Sequence, residues 1–127
     1  MGTGYLIDTN VIIDYLENKL PEDTSIFLDN LLIQLSVITR IELLVWPKAT
    51  SHQVSILQDF ISASQILWIN EDIVLKTIEI RKTYKLKLPD SIIAATALVN
   101  DLTLVTRNTT DFKKIDGLIC IDPYKLK

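Results

Sequence analysis

Short apolar runs with the character of β-strands alternate with stretches of helical periodicity along this sequence, and that alternation constrains the fold more than any other feature. The stretch "GYLIDTNVIIDYL" sets the pattern. It rises through Tyr5, Leu6 and Ile7, halts on Asp8, Thr9 and Asn10, and turns apolar again. A strand over Gly4 to Asp8 and a helix over Asn10 to Glu17 are predicted. Further helices are predicted over Thr24 to Leu32 and over Thr39 to Trp46, the latter closed by Pro47. Between them Gln34 to Val37 reads as a strand. Val54, Leu57 and Ile61 recur at helical spacing, and Ile66 to Ile69 reads as a strand. Asn70 is placed to cap a helix with Glu71 and Asp72 in its first turn. Pro89 opens a helix through Asn100; "LTLVT" is a strand, "DFKK" one helical turn, and "LICI" a last strand.

Strands alternating with helices point to a parallel sheet covered on both faces. In such sheets the ligand crevice lies beyond the carboxyl ends of the strands. Asp8 and the segment after Thr106 should therefore meet at one crevice.

The chain has 127 residues, enough for one domain with a substantial core, and 48% hydrophobic against 23% charged residues argues against disorder. Uncharged runs such as "SIIAATALVN" reach only about ten residues, half of what a membrane span needs. No basic region precedes a hydrophobic one at the N-terminus, as a signal peptide would require. The single cysteine, Cys120, has no internal disulfide partner, so the default setting is a reduced, cytoplasmic one. A net charge of −3 counts against a polyanion as partner. The distribution of charge softens that objection. "RKTYKLK" gathers Arg81, Lys82, Lys85 and Lys87 with no acid between them, and "TRNTTDFKK" adds Arg107, Lys113 and Lys114. A solvated face is the ordinary reading of such runs.

The carboxylates are more informative. On a helix, Glu42 has Ile38, Thr39, Val45 and Trp46 as its neighbours, a mostly apolar stripe, while Arg40 points elsewhere. A carboxylate so placed must be paired, protonated or metal-bound, unless its head reaches water at an edge. Asp90 precedes Ile93, Ala94 and Ala97 on a packed face, although a first-turn acid is also favoured by the helix dipole. Asp8 and Asp111 share that excuse as caps. Asp14, Asp101 and Asp116 read as surface or turn residues. If Asp8, Glu42, Asp90 and Asp111 converge, each pair at 4 Å repels by about 4 kcal/mol at an effective dielectric of 20. A divalent cation relieves that repulsion, and an all-oxygen cluster suits Mg²⁺ or Mn²⁺. Such a site polarises a phosphate oxygen and activates water for phosphodiester hydrolysis.

Other chemistries fit less well. His52, the only histidine, lies in a polar stretch with no adjacent nucleophile and reads as a surface residue. Cys120 reads as packed within a strand, Trp46 and Trp68 as core. No glycine-rich phosphate loop is present.

Taken in order, "LIDTNVIIDYL", "TRIELLVW", "LPDSIIAATAL" and "LVTRNTTDF" closely resemble the PIN-domain family, and within it the VapC toxins of bacterial and archaeal toxin–antitoxin modules. The resemblance implies a three-layer α/β/α sandwich around a mainly parallel sheet and Mg²⁺- or Mn²⁺-dependent cleavage of RNA. It carries the acidic cluster onto Asp8, Glu42, Asp90 and Asp111. Asp8 and Asp90 would be the principal metal ligands, Asp111 a ligand directly or through water, and Glu42 the residue that orients or deprotonates water. Thr9, Asn10, Thr106 and Asn108 match supporting polar positions. Arg40, Lys85, Lys87 and Arg107 are candidates for substrate phosphates. A homodimer and a cognate antitoxin that blocks the site are the implied partners. Rival readings are a receiver or haloacid-dehalogenase-type module, each lacking an acid it needs, and a non-catalytic PIN scaffold that binds RNA or protein.

Overall fold

The computed structural model describes residues 4–125. Five strands form one sheet: β1 (Gly4–Ile7), β2 (Gln34–Ser36), β3 (Gln65–Leu67), β4 (Leu102–Val105) and β5 (Cys120–Ile121). Their order is β3-β2-β1-β4-β5 and every pairing is parallel. The chain winds outward from β1 through β2 to β3, then crosses back to lay β4 on the other side of β1. That reversal opens a crevice at the carboxyl ends of β1 and β4. Gly4 lies inside this crowded centre: a Cβ there would meet Leu102 Cδ2 at 2.7 Å and Gln34 Nε2 at 2.8 Å.

Seven α-helices connect the strands: α1 (Thr9–Leu16), α2 (Glu22–Asp29), α3 (Val37–Leu44), α4 (Ser51–Ser62), α5 (Glu71–Thr83), α6 (Leu88–Val99) and α7 (Thr109–Phe112). Their starts follow local chemistry. Ser36 accepts from the Ile38 N–H, Asn70 accepts from Ile73, and Thr50 with Gln53 forms a reciprocal capping box. The helices before the switch cover one face of the sheet, where Ile7, Leu35 and Val105 pack with Val11, Ile12, Leu28, Leu43 and Leu57. Those after it cover the other, where Leu6 and Leu104 pack with Ile73, Ile80, Ile93, Ala94 and Phe112. Successive strand residues thus feed opposite cores, the arrangement expected of a three-layer α/β/α sandwich. Each fully buried Leu or Ile contributes roughly 1.5–3 kcal/mol. Phe112, with no exposed surface, ties the one-turn α7 to the core.

Several boundaries differ from those predicted. The second helix starts at Glu22, ahead of the predicted Thr24, because Pro21 supplies a fixed turn whose carbonyl accepts from Thr24 and Ser25. The third begins at Val37, since Ser36 is the cap. The final strand shrinks to Cys120–Ile121, the part opposite Leu104 and Val105. Among the described residues no helix is long and apolar enough to cross a membrane.

Candidate active site

Asp8 follows the last residue of β1 and serves as N-cap of α1, its Oδ1 accepting from the Thr9 N–H at 2.9 Å. Its own N–H is bonded to the Val105 carbonyl at 2.9 Å, so the ends of β1 and β4 are held together. Thr106, the next residue beyond β4, donates its hydroxyl to Asp8 Oδ2 at 2.7 Å and accepts from the Asn108 N–H at 3.0 Å. Asn10 reaches the same Oδ2 from Nδ2 at 3.4 Å, and its Oδ1 lies 3.5 Å from the Arg107 N–H. Asp8 is 5% exposed, and its partners are all neutral.

Glu42 comes from α3 and accepts the Thr9 hydroxyl at Oε1, 2.5 Å away; the Thr39 hydroxyl stands 3.1 Å from that of Thr9. Asp90 comes from the first turn of α6 and makes no cap bond, Lys87 being the cap residue. An open cleft of about 320 Å³ is lined by Asp8, Thr9, Asn10, Ile13, Glu42, Asp90 and Asn108. Asp111 lies in α7, exposed, with Oδ2 accepting from Asn108 Nδ2 at 3.0 Å, which ties it to the cleft rim.

Electrostatics link all four acids. Burial pushes the Asp8 carboxyl above its ordinary value, outweighing the Thr106 and Thr9 hydrogen bonds, and the Glu42 charge adds to the rise. Asp90 is pushed up by burial first, then by the charges of Asp8 and Glu42, with Asp111 contributing; Lys87 opposes it. Among the described residues no lysine, arginine or histidine is ion-paired with Asp8, Glu42 or Asp90. The donors fit a hard divalent cation in chemical type: carboxylates, with hydroxyl and amide oxygens behind them. They are openly spaced, and among the described residues no group of three or more Asp, Glu, His or Cys side chains closes on a point that could hold an ion unaided.

The basic candidates divide. Arg107 pairs through Nη1 with Asp14 Oδ2 at 3.2 Å, and the Arg40 guanidinium lies over the Trp68 ring, 5.8 Å from its centroid. Lys85 and Lys87 stay exposed in a separate depression between α5 and α6. Two sequence expectations are corrected here. Asp14 is not a surface residue: it is 5% exposed, held by Arg107 and by the Tyr124 hydroxyl at 2.6 Å. Trp68 is not in the core but 63% exposed, because β3 ends at Leu67 on the sheet edge. No local signal marks Asp14, as its Tyr124 partner lies 110 residues away. His52 is exposed and Cys120 half-buried.

The PIN domain family profile matches residues 5–118. Among solved structures, the chain is similar to one in a toxin–antitoxin complex from Klebsiella pneumoniae: 36% identity over 97% of this chain and 100% of the other, with a TM-score of 0.78. It is also similar to chains in DNA-bound VapBC from Salmonella typhimurium (26% identity, 94% and 97% covered, TM-score 0.81) and in FitAcB from Neisseria gonorrhoeae (26%, 96% and 99%, 0.78). No curated protein matches its sequence.

Proposed function

The chain belongs to the PIN domain family, and from that premise we propose that it is a metal-dependent endoribonuclease, hydrolysing RNA phosphodiester bonds as the toxin of a type II toxin–antitoxin module. The observation that carries the reading is Asp8: a buried carboxylate, held only by neutral donors, in a cleft with two more acids. An uncompensated buried charge is costly, and a structural role would have been served by an uncharged cap.

Asp8 and Asp90 would hold the metal, Mg²⁺ or Mn²⁺, with Asp111 as a further ligand directly or through water. The chemistry such an ion would supply is polarisation of a phosphate oxygen and a more acidic water. The protein's part is orientation. Thr106 and Asn10 fix Oδ2 of Asp8, and the Thr9 N–H fixes Oδ1. Thr9 occupies Oε1 of Glu42, which leaves Oε2 to take a proton from the attacking water. Asn108 joins the Thr106 hydroxyl to Asp111 and keeps the rim in register. The similar chains from Klebsiella and Salmonella come from toxin–antitoxin complexes, which supports a cognate antitoxin as partner. A cytoplasmic homodimer completes the proposal.

The test is cleavage of labelled RNA by purified protein in Mg²⁺, in EDTA, and as the Asp8→Asn variant. Cleavage in the first alone is expected. Equal cleavage in all three would sink the metal-nuclease reading, and none in any would leave a binding module.

A further inference from the structure

Between α5 and α6 the chain forms a shallow basic depression of about 490 Å³, lined by Arg81, Tyr84, Lys85, Leu86 and Lys87. Its floor is fixed. Arg81 Nη1 donates to the Leu86 carbonyl at 2.8 Å, Lys114 Nζ to the Lys85 carbonyl at 3.3 Å, and Ser91 Oγ to the Lys87 carbonyl at 2.9 Å. The Tyr84 hydroxyl accepts from the Asp116 N–H at 3.0 Å, which sets the edge of its ring. Within this pinned backbone the Lys85 and Lys87 side chains are exposed, and neither has a carboxylate partner among the described residues. Lys87 is the N-cap residue of α6, whose first turn carries Asp90 into the acidic cleft, so the depression adjoins that cleft.

We propose that this depression is a subsite for one unpaired nucleotide of the substrate strand flanking the scissile phosphate, with Lys85 and Lys87 on the phosphates and Tyr84 under the base. The inference rests on the ribonuclease reading and adds where the strand leaves the cleft and what conformation it has there. The volume falls in the range, roughly 300–1,000 Å³, that receives a small organic molecule of nucleotide size. Two unpaired ammonium groups on a rigid loop are point charges for a phosphodiester backbone. Tyr84, half-exposed in the lining of the same depression, offers a π-face that an unstacked base can use, whereas a base inside a duplex cannot reach it.

The test uses the 127-residue chain carrying Asp8→Asn, to stop cleavage. Binding of a fluorescein-labelled single-stranded RNA and of its duplex is followed by anisotropy from low to high salt. Substituting Lys85→Gln and Lys87→Gln together should flatten the slope of log K against log salt by about 1.4, two single-strand contacts at about 0.7 each. Tyr84→Leu should weaken single-strand binding roughly tenfold with no change in slope, and Tyr84→Phe should restore it. Lys48→Gln, in the α3–α4 connection, serves as the control and should change neither. An unchanged slope in the double lysine variant, with RNA still bound, overturns the subsite and leaves the ribonuclease reading intact. Equal losses for duplex and single strand on Tyr84→Leu overturn the stacking role. No RNA binding by the parent overturns both readings together.

Discussion

Helix α1 has a carboxylate at each end, Asp8 as N-cap and Asp14 in the last turn, each only 5% exposed. Their surroundings differ in kind. Asp14 has a guanidinium at 3.2 Å and a phenol at 2.6 Å. Its charge is neutralised, and it joins α1 to the β4–α7 loop and to the C-terminal turn at Pro123–Lys125. Asp8 has a threonine hydroxyl, a backbone N–H and a more distant amide, together with the charge of Glu42 across the cleft. Equal burial therefore marks two different things. Where the fold provides a cation the acid is a brace; where it provides only neutral donors the charge is left unmatched, which is the feature the proposed metal site rests on.

The widest separation between the two should appear in catalysis. Asp8→Asn keeps one oxygen for the Thr9 cap and turns an amide NH2 toward Thr106 in place of Oδ2, and it loses the charge that would hold the metal; RNA cleavage should fall about a thousandfold, several kcal/mol of transition-state stabilisation. Asp14→Asn should lower it far less. Comparable losses in both variants, in single-turnover assays, would erase the distinction.

Stability should sort the pair the other way. Asp14→Ala leaves Arg107 and Tyr124 without their acceptor and should cost about 2–3 kcal/mol in urea denaturation. Asp8→Asn should be neutral or stabilising in EDTA, because it removes a charge that the surrounding donors do not match. A loss of stability in Asp8→Asn as large as that in Asp14→Ala would show that Asp8 is a brace as well.

Next in size is the response to metal. Mn²⁺ at ten times its dissociation constant should stabilise the wild type by about 1.4 kcal/mol. The Asp14→Ala protein should gain as much and the Asp8→Asn protein nothing, read as shifts in Tm. An equal gain in all three would place the ion elsewhere.

The smallest effect is on pH dependence in EDTA. Folding raises the Asp8 carboxyl above its ordinary 3.8. The folded state therefore holds that proton where the unfolded chain has released it. The resulting stabilisation is full below 3.8 and is lost as pH rises through the raised value. Asp90 shifts the same way. Tm should decline across that acidic-to-neutral window in the wild type and decline less in Asp8→Asn; identical profiles would remove the electrostatic basis for the contrast.

Much of the architecture was legible from local pattern. The β1–α1 transition at Asp8, the Asn70 cap and the helix after Pro89 are short-range events, decided by side-chain period and by hydrogen bonds spanning a few residues. That Asp8 and the segment after Thr106 share a crevice followed from a topological rule about parallel sheets, and Asn108 of that segment lines the cleft with Asp8; the 2.7 Å bond from Thr106 itself to Asp8 is a detail the rule does not reach. Element ends were less legible. Pro21 and Ser36 set the starts of α2 and α3 by a turn geometry and a cap that hydrophobic period does not register.

By itself the sequence determined an α/β chain with parallel strands whose carboxyl ends bear acids, because strand and helix periods, caps and breakers act between near neighbours. Only the tertiary structure decided which charges were matched. It buried Asp14 against Arg107 and Tyr124, turned Trp68 outward beneath Arg40, and, among the described residues, left Asp8 without a countercharge and Lys85 and Lys87 without an ion-paired carboxylate. Charge compensation depends on which distant segments the fold brings within a few ångströms, and no local pattern carries that information.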